Sequence, residues 1–313
     1  MPQNGTFQLG PLQENELAEA DRIVRLAFAT HLGIDPRNFM DDRDFMQSRW
    51  RARHVKAIAA REGERLIGSN IVTRWGSFGF FGPLTVLPDY WNHGVAQRLL
   101  EATMKVFDRW GVRRTGLFTF PNSAKHVALY QKFGYWPGYL TAIMTRPPEQ
   151  GGEMPALLTD LTGTPRAEAI RACAKLTGAL DRGLDLSDEI RALLAQHTGD
   201  VVLTHTRGSL DAFAVCLTGP GSEGGARICY VKFAAARVGR GADGRFEKLL
   251  AACEAYGSAH GATVEAGVSA VNEDAWRRMR ARGYRAAVQG VTMQKPNVAG
   301  FLRPDAYVIS DWR

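Results

Sequence analysis

Between Leu87 and Gln97 the chain reads LPDYWNHGVAQ, and an amphipathic helix follows. A helix start leaves its first N–H groups without intrahelical acceptors, and the macrodipole places partial positive charge there. Gly94 and Ala96 keep side chains out of the approach, so backbone N–H groups from Asn92 through His93, Gly94, Val95 and Ala96 to Gln97 form an anion cradle of pyrophosphate size. Tyr130 is a candidate proton donor, a phenol of ordinary pKa near ~10. No base is readable: SFGFFGPLTV, ahead of the turn, has no carboxylate. His31, His93, His126 and a water chain remain alternatives, each histidine having an ordinary surface or packing role as well. Asp41, Asp42 and Asp44 either flank an amine pocket or include a helix cap whose neighbours favour the positive helix end. Gly239, Gly241 and Gly244 form G-x-G-x-x-G, but a dinucleotide fingerprint needs a parallel βαβ unit and the strands before it read as antiparallel. Cys173, Cys216, Cys229 and Cys253 lack metal-ligand spacing and read as buried free thiols of a reducing cytoplasm.

The elements that must position these residues are legible from periodicity. Phe80, Phe81, Leu84, Val86 and Leu87 supply a strand in which Gly82-Pro83 should bulge the ladder or part it from a neighbour. Ala96, Leu99, Leu100, Thr103, Phe107 and Trp110 fall on one helical face, with Arg98, Glu101, Lys105, Asp108 and Arg109 on the other. Upstream, a strand over residues 6–12, a helix over 14–30 and a hairpin turning at Arg61-Glu62-Gly63-Glu64 are expected. Downstream come a strand over 114–120, a helix opened by Asn122-Ser123, and a strand over 136–145.

At these residues the chain resembles the GNAT N-acetyltransferases. VLPDYWNHGVAQRLL is similar to their acyl-CoA-binding motif, Gln/Arg-x-x-Gly-x-Gly/Ala after a strand and a Pro; Gly94 and Ala96 match, and Trp91 stands where Gln or Arg is usual. The second landmark, N-x-x-A-x-x-L-Y-x-K-x-G-[FY], is met by Asn122 and by Leu129-Tyr130-Gln131-Lys132-Phe133-Gly134-Tyr135, with Ala128 later than the consensus Ala. The resemblance implies acetyl-CoA as co-substrate, an amine acceptor, and a mixed, mostly antiparallel sheet flanked by helices. It implies that Leu84, Thr85 and Val86 line the pantetheine, with Thr85 and Val86 pairing its amides. Asn122 would touch the same arm, and Tyr130 would protonate the leaving thiolate as the catalytic acid.

The chain of 313 residues has room for two domains. Pro147 to Gly152 is a composition break, and helices over 166–177 and 187–197 precede three strands, a helix, a strand, a helix and a strand. That order repeats the first half. An offset of 150 residues carries Gly94 onto Gly244, Ala96 onto Phe246, Leu99-Leu100 onto Leu249-Leu250 and Gly111 onto Gly261. Two GNAT-like α/β domains in tandem are therefore expected: 1–147 catalytic, 148–165 a linker, 166–313 degenerate, with Phe246 crowding the phosphate loop and Met279 in place of Tyr130. The tail FLRPDAYVISDWR is expected to pack on the body.

The net charge of +7 suits nucleotide phosphates, and no nucleic-acid module, membrane span, signal-peptide core or metal site is visible. A cytoplasmic acetyl-CoA-dependent N-acetyltransferase acting on a small-molecule or peptide amine is the leading expectation, with a homodimer allowed for. The alternatives are a non-catalytic acyl-CoA-binding sensor and an enzyme resembling mycothiol synthase.

Overall fold

The computed structural model describes residues 7–149 and 153–313. The first half runs β1 (Gln8–Pro11), α1 (Leu17–Leu32), α2 (Gln47–Trp50), β2 (Val55–Glu62), β3 (Arg65–Trp75), β4 (Phe78–Val86), α3 (Val95–Trp110), β5 (Arg114–Thr119), α4 (Ala124–Lys132) and β6 (Trp136–Arg146). The second runs β7 (Ala156–Leu157), α5 (Gly163–Leu180), α6 (Ser187–Gln196), β8 (Gly199–Thr206), β9 (Ser209–Gly219), β10 (Gly225–Ala236), α7 (Ala242–Ala259), β11 (Thr263–Ser269), α8 (Glu273–Ala281) and β12 (Arg285–Lys295), then the tail strand β13 (Val308–Ile309). The two halves repeat one order of elements. The expected linker is shorter than 148–165: β7 pairs with β8, Leu158 is fully buried and α5 begins at Gly163. Gln150, Gly151 and Gly152 of that linker, and Met1 to Thr6 at the amino end, lie outside the described residues.

All thirteen strands among the described residues join one sheet, in the order β1-β2-β3-β4-β5-β12-β6-β11-β10-β9-β8-β7, with β13 on β10. The halves exchange their last strands. β12 lies against β5, β6 lies against β11, and the two exchanged strands pair with each other from Trp136↔Gln294 to Thr145↔Arg285. Ala142, Ile143 and Met144 are buried at this seam, with Val291 and Met293 across it. Neither half therefore has a complete sheet of its own.

Three apolar cores follow from the helix faces. Leu99, Leu100, Val106 and Phe107 of α3 pack with Ile23 and Val24 of α1 over Ile67, Ile71 and Phe81. Phe246, Leu249, Leu250 and Cys253 of α7 do the same over Val231, Val264 and Val268. Between the halves, Trp75, Phe78 and Phe80 share a core with Leu180 of α5, Leu186 just before α6, Ile190 of α6, Phe233, Phe301 and Trp312. The cysteines are all buried and free.

A buried ionic clasp adds to the shared core. Arg49 of α2 pairs with Glu223 at 2.6 Å, and Lys232 bridges Glu223 at 2.7 Å and Glu189 at 2.8 Å. His54 and the Trp75 indole N–H both reach Glu189 Oε2, each at 2.9 Å. Arg43 and Arg313 pair with Glu265 of β11 at 2.8 and 3.0 Å. Such groups gain little over an apolar core when all are matched, but removing one partner strands a buried charge. The acidic residues Asp41, Asp42 and Asp44 flank this clasp on either side of Arg43. Asp44 accepts from the Met46, Gln47 and Ser48 N–H groups and so caps α2. Asp42 accepts from the Ala226 N–H, and Asp41 pairs with Arg227, so these two bind the second half rather than serve a helix dipole.

Candidate active site

β4 and β5 are paired only from Phe78↔Arg114 to Phe80↔Gly116. Beyond that point β4 continues along β3 to Val86 while β5 continues along β12 to Thr119, and the two open into a cleft. Gly82-Pro83 sits where they part, and the β3 register shifts there, from Val72↔Phe81 to Asn70↔Leu84. Proline has no N–H to lend to a ladder, so the strand both bulges and leaves its neighbour. Arg49 Nη1 donates to the Gly82 carbonyl at 2.7 Å, so the clasp also holds the bulge.

The register decides which backbone groups face the cleft. The Leu87 N–H donates to the Ile67 carbonyl at 2.8 Å, which makes 87 and 85 the hydrogen-bonded positions of the β3–β4 pair. Leu84 and Val86 therefore turn their N–H and C=O toward the open edge, and Thr85 turns its own toward Ser69. The sequence pointed to Thr85 and Val86; the alternation gives this edge to Leu84 and Val86. The Thr85 Oγ1 is buried without a partner. Trp91 Nε1 donates to the Val86 carbonyl at 2.8 Å, folding the turn back onto the end of β4 and confirming that this carbonyl points away from β3.

At the end of the cleft α3 begins without a side-chain cap, on Gly94 at φ 80°. Asn92, also left-handed at φ 69°, and Gly94 fold the turn so that the Val95, Ala96 and Gln97 N–H groups head the helix. A Cβ built on Gly94 meets nothing within 4 Å, so the turn is open on that side. Asn92, His93, Gly94 and Gln97 are exposed, Ala96 is half-buried, and Val95 is buried. Lys125 Nζ, from the first turn of α4, donates to Asn92 Oδ1 at 2.5 Å and brings a cation to the same end of the cleft. The sequence reading missed Lys125, whose only signal was its place just after Asn122. A backbone strand edge beside an uncapped helix start and a lysine fits the amide arm and pyrophosphate of a coenzyme A thioester.

Tyr130 lies on the inward face of α4, its ring 5.8 Å from that of Phe81 on β4. Burial pushes its phenol up to about 12, against a smaller opposite effect of the Thr119 hydroxyl. Asn122 is exposed just before α4. The three histidines separate. His93 stands exposed beside Tyr90, whereas His31, at the end of α1, is 5.2 Å ring to ring from both Phe120 and His126.

The second half builds the same cleft and fills it. β10 and β11 pair only as far as Val231↔Ala266. The residues that the 150-residue offset equates with Leu84, Thr85 and Val86 are Ala234, Ala235 and Ala236, and they are taken by the tail. Ala234 pairs with Ile309, Ala235 with Val308, and the Ala236 N–H donates to the Tyr307 carbonyl at 3.1 Å. Ser310 N–H closes the other side on the Gly267 carbonyl at 3.0 Å. α7 starts one turn earlier than that offset predicts, on Gly241, so Gly241 rather than Gly244 is the counterpart of Gly94. Arg245 occupies this turn, donating to the carbonyls of Arg237, Gly239 and Arg240. Phe246 and Met279 are fully buried.

Residues 20–135 match the sequence profile of the Acetyltransferase (GNAT) family. No curated protein matches the chain in sequence. Among solved structures, a presumed acetyltransferase from Pyrococcus horikoshii superposes with a TM-score of 0.67 at 13% identity, over 98% of this chain and 95% of that one. A GCN5-related N-acetyltransferase from Sphaerobacter thermophilus does so with a TM-score of 0.57 at 16% identity, over 97% and 98%. The GCN5-related glucosamine N-acetyltransferase region of a fungal multi-domain GH3 β-N-acetylglucosaminidase reaches a TM-score of 0.62 at 13% identity, over 92% of this chain and 38% of that one. At these identities the likeness is one of fold, and it extends over both halves. The open cleft and the uncapped turn lie in the same half as the match to the acetyltransferase (GNAT) profile, and the fold shared with these acetyltransferases runs through both halves.

Proposed function

We propose that the protein is an acetyl-CoA-dependent N-acetyltransferase with one active site, in the first-half cleft, acting on a primary amine of a small molecule or peptide. The observation that carries this is the pairing of a β4 edge that no strand covers beyond Phe80 with an α3 turn that has no side-chain cap, beside a buried tyrosine, in one half only. Leu84 and Val86 would hold the pantetheine amides, with Asn122 alongside. The N–H groups of Asn92 and of Gly94 to Gln97, with Lys125, would hold the pyrophosphate, the His93 N–H being given to the Tyr90 carbonyl. The amine attacks the thioester carbon, the C–S bond breaks, and Tyr130 supplies the proton for sulfur. A phenol near 12 stays protonated through the physiological range. Transfer to a free thiolate of pKa about 8 to 9 would run uphill, so the donation is productive while the sulfur is still desolvated in the cleft, where burial raises its own pKa.

One observation favours a second reading, an acyl-CoA sensor: Trp91 already occupies the Val86 carbonyl that a pantetheine N–H would use. Thiol release from acetyl-CoA separates the two. The acceptor panel holds glucosamine, an amino-sugar–cysteine conjugate, aminoglycosides, polyamines, aromatic amines and peptides with free amino termini. Steady release with any of them is the expected result; tight acetyl-CoA binding without turnover across the panel establishes the sensor.

A further inference from the structure

His126 and Tyr130 are four residues apart on α4, which sets both side chains on one face of the helix, a turn apart. Tyr130 points into the β4–β5 core, and His126 sits nearer the mouth, between its own helix and α1. Ser123 Oγ lies 2.9 Å from His126 Nδ1. With Nδ1–H donating to that oxygen, the lone pair on Nε2 is free to take a proton. His31 faces the ring from α1, Lys125 stands next to it on α4, and Phe120 joins from the end of β5, its ring 6.4 Å from Phe28, which stacks on Phe39 at 5.3 Å. This histidine pair with three phenylalanines joins α1, the end of β5 and the face of α4 that carries Tyr130, and β4 offers no carboxylate.

We propose that His126, oriented by Ser123 and His31, is the general base of the acetyl transfer, and that the phenylalanines beside it receive an amine carried on an apolar or aromatic arm. The inference rests on the acetyltransferase reading above. As the N–C bond forms and the C–S bond breaks, one N–H proton of the neutral amine passes to His126 Nε2 and the Tyr130 proton passes to sulfur. The imidazolium then returns its proton to the phenolate, a turn away on the same helix, and the protons balance. Burial, then His31, then Lys125 hold the His126 pKa below its ordinary value, so the ring stays neutral at neutral pH. The base is active above its pKa and lost as pH falls through it.

The test uses the full chain, with phenethylamine and putrescine as acceptors and 15N-histidine NMR in parallel. Acetyl-CoA should move the His126 and His31 resonances and leave His205, exposed on β8, in place. His126→Gln should lower kcat/KM by roughly a hundredfold and remove the acid limb of its pH profile, with acetyl-CoA affinity unchanged. His31→Asn should move that limb to higher pH, because it removes a neighbour that disfavours protonation of His126. Ser123→Ala should lower kcat without changing KM for acetyl-CoA, and phenethylamine should be preferred to putrescine. His126→Gln with the unmutated rate and limb, or a His126 resonance unmoved by acetyl-CoA, overturns the base; equal use of putrescine overturns the apolar acceptor. Failure of the unmutated protein to bind acetyl-CoA would instead overturn the underlying reading, and this proposal with it.

Discussion

The two clefts start from the same strand–turn–helix design and end in opposite states. In the first, β4 and β5 part at Phe80 and Gly116 and leave the backbone of Leu84 and Val86 facing the gap. In the second, β10 and β11 part at Val231 and Ala266, and the protein's own segment from Tyr307 to Ser310 hydrogen-bonds both walls. An unpaired strand edge must find partners or water. The second half finds them within the chain, and the first half leaves the edge beyond Phe80 without a strand partner. The helix starts differ too: a Cβ on Gly94 would meet nothing, while Arg245 ties the carbonyls of the turn around Gly241 beside an open cavity lined by Arg207, Arg237 and Lys248. The same order of elements thus leaves one strand edge uncovered and covers the other with two residues of the tail.

The largest expected effect tests the chemical side of this contrast. Tyr130→Phe keeps the ring packed against Phe81 and removes the proton donor, so kcat should fall by roughly 10² to 10⁴ while acetyl-CoA affinity stays within a few-fold. Met279→Leu, at the matching place in the filled half, should leave kcat alone. Single-turnover acetyl transfer is the measurement, and full activity in the Phe variant would reduce Tyr130 to a packing residue. Because the phenol lies near 12, no alkaline loss of activity from its ionisation should appear below about pH 11.

Next in size is the hold on the tail. Burial opposes the charge of Glu265 on β11, but Arg313 and Arg43 outweigh it and bring the carboxyl down to about 2 from 4.5. A folded pKa below the unfolded one gives stability that is complete above about pH 4.5 and is lost as pH falls toward 2, about 3 kcal/mol in all. Glu265→Gln should flatten urea-unfolding stability across that window and cost a similar amount at pH 7, because Arg43 and Arg313 lose their partner. An unchanged acid profile would show that the tail is held by its backbone ladder alone.

The smallest effect bears on the number of sites. Gly94→Glu places a side chain and a negative charge in front of the α3 donors and should weaken acetyl-CoA at least tenfold, about 1.4 kcal/mol. Gly244→Glu, exposed in the first turns of α7, should leave affinity unaltered. Isothermal titration of the unmutated protein should show one site per chain, and two equivalent sites would break the comparison.

Much of this was written locally in the sequence. The helical period placed α3 and α7, the Gly63 turn placed the β2–β3 hairpin, Gly82-Pro83 marked the parting of β4 from β5, and the repeat announced two copies of one fold. Each rests on short-range stereochemistry: side-chain period, a positive φ, a missing N–H. Tyr130, Gly94 and Ala96 were legible because a motif holds them at fixed spacing. What the tertiary structure alone decided joins residues far apart in the chain. The exchange of β6 and β12 depends on which strand completes each half-sheet, and either pairing satisfies the same backbone groups, so local pattern does not choose between them. Asp42 reaching Ala226, Arg49 holding both Gly82 and Glu223, and His31 meeting His126 are juxtapositions that no window of sequence contains. The choice of Leu84 over Thr85 for the open edge follows from the parity of the β3–β4 ladder, set by the Leu87 bond to Ile67. Which strand edge is covered and which is left uncovered was decided by where the tail runs, because a two-residue strand such as Val308–Ile309 carries no signal of its partner until the edge of β10 is in place to receive it.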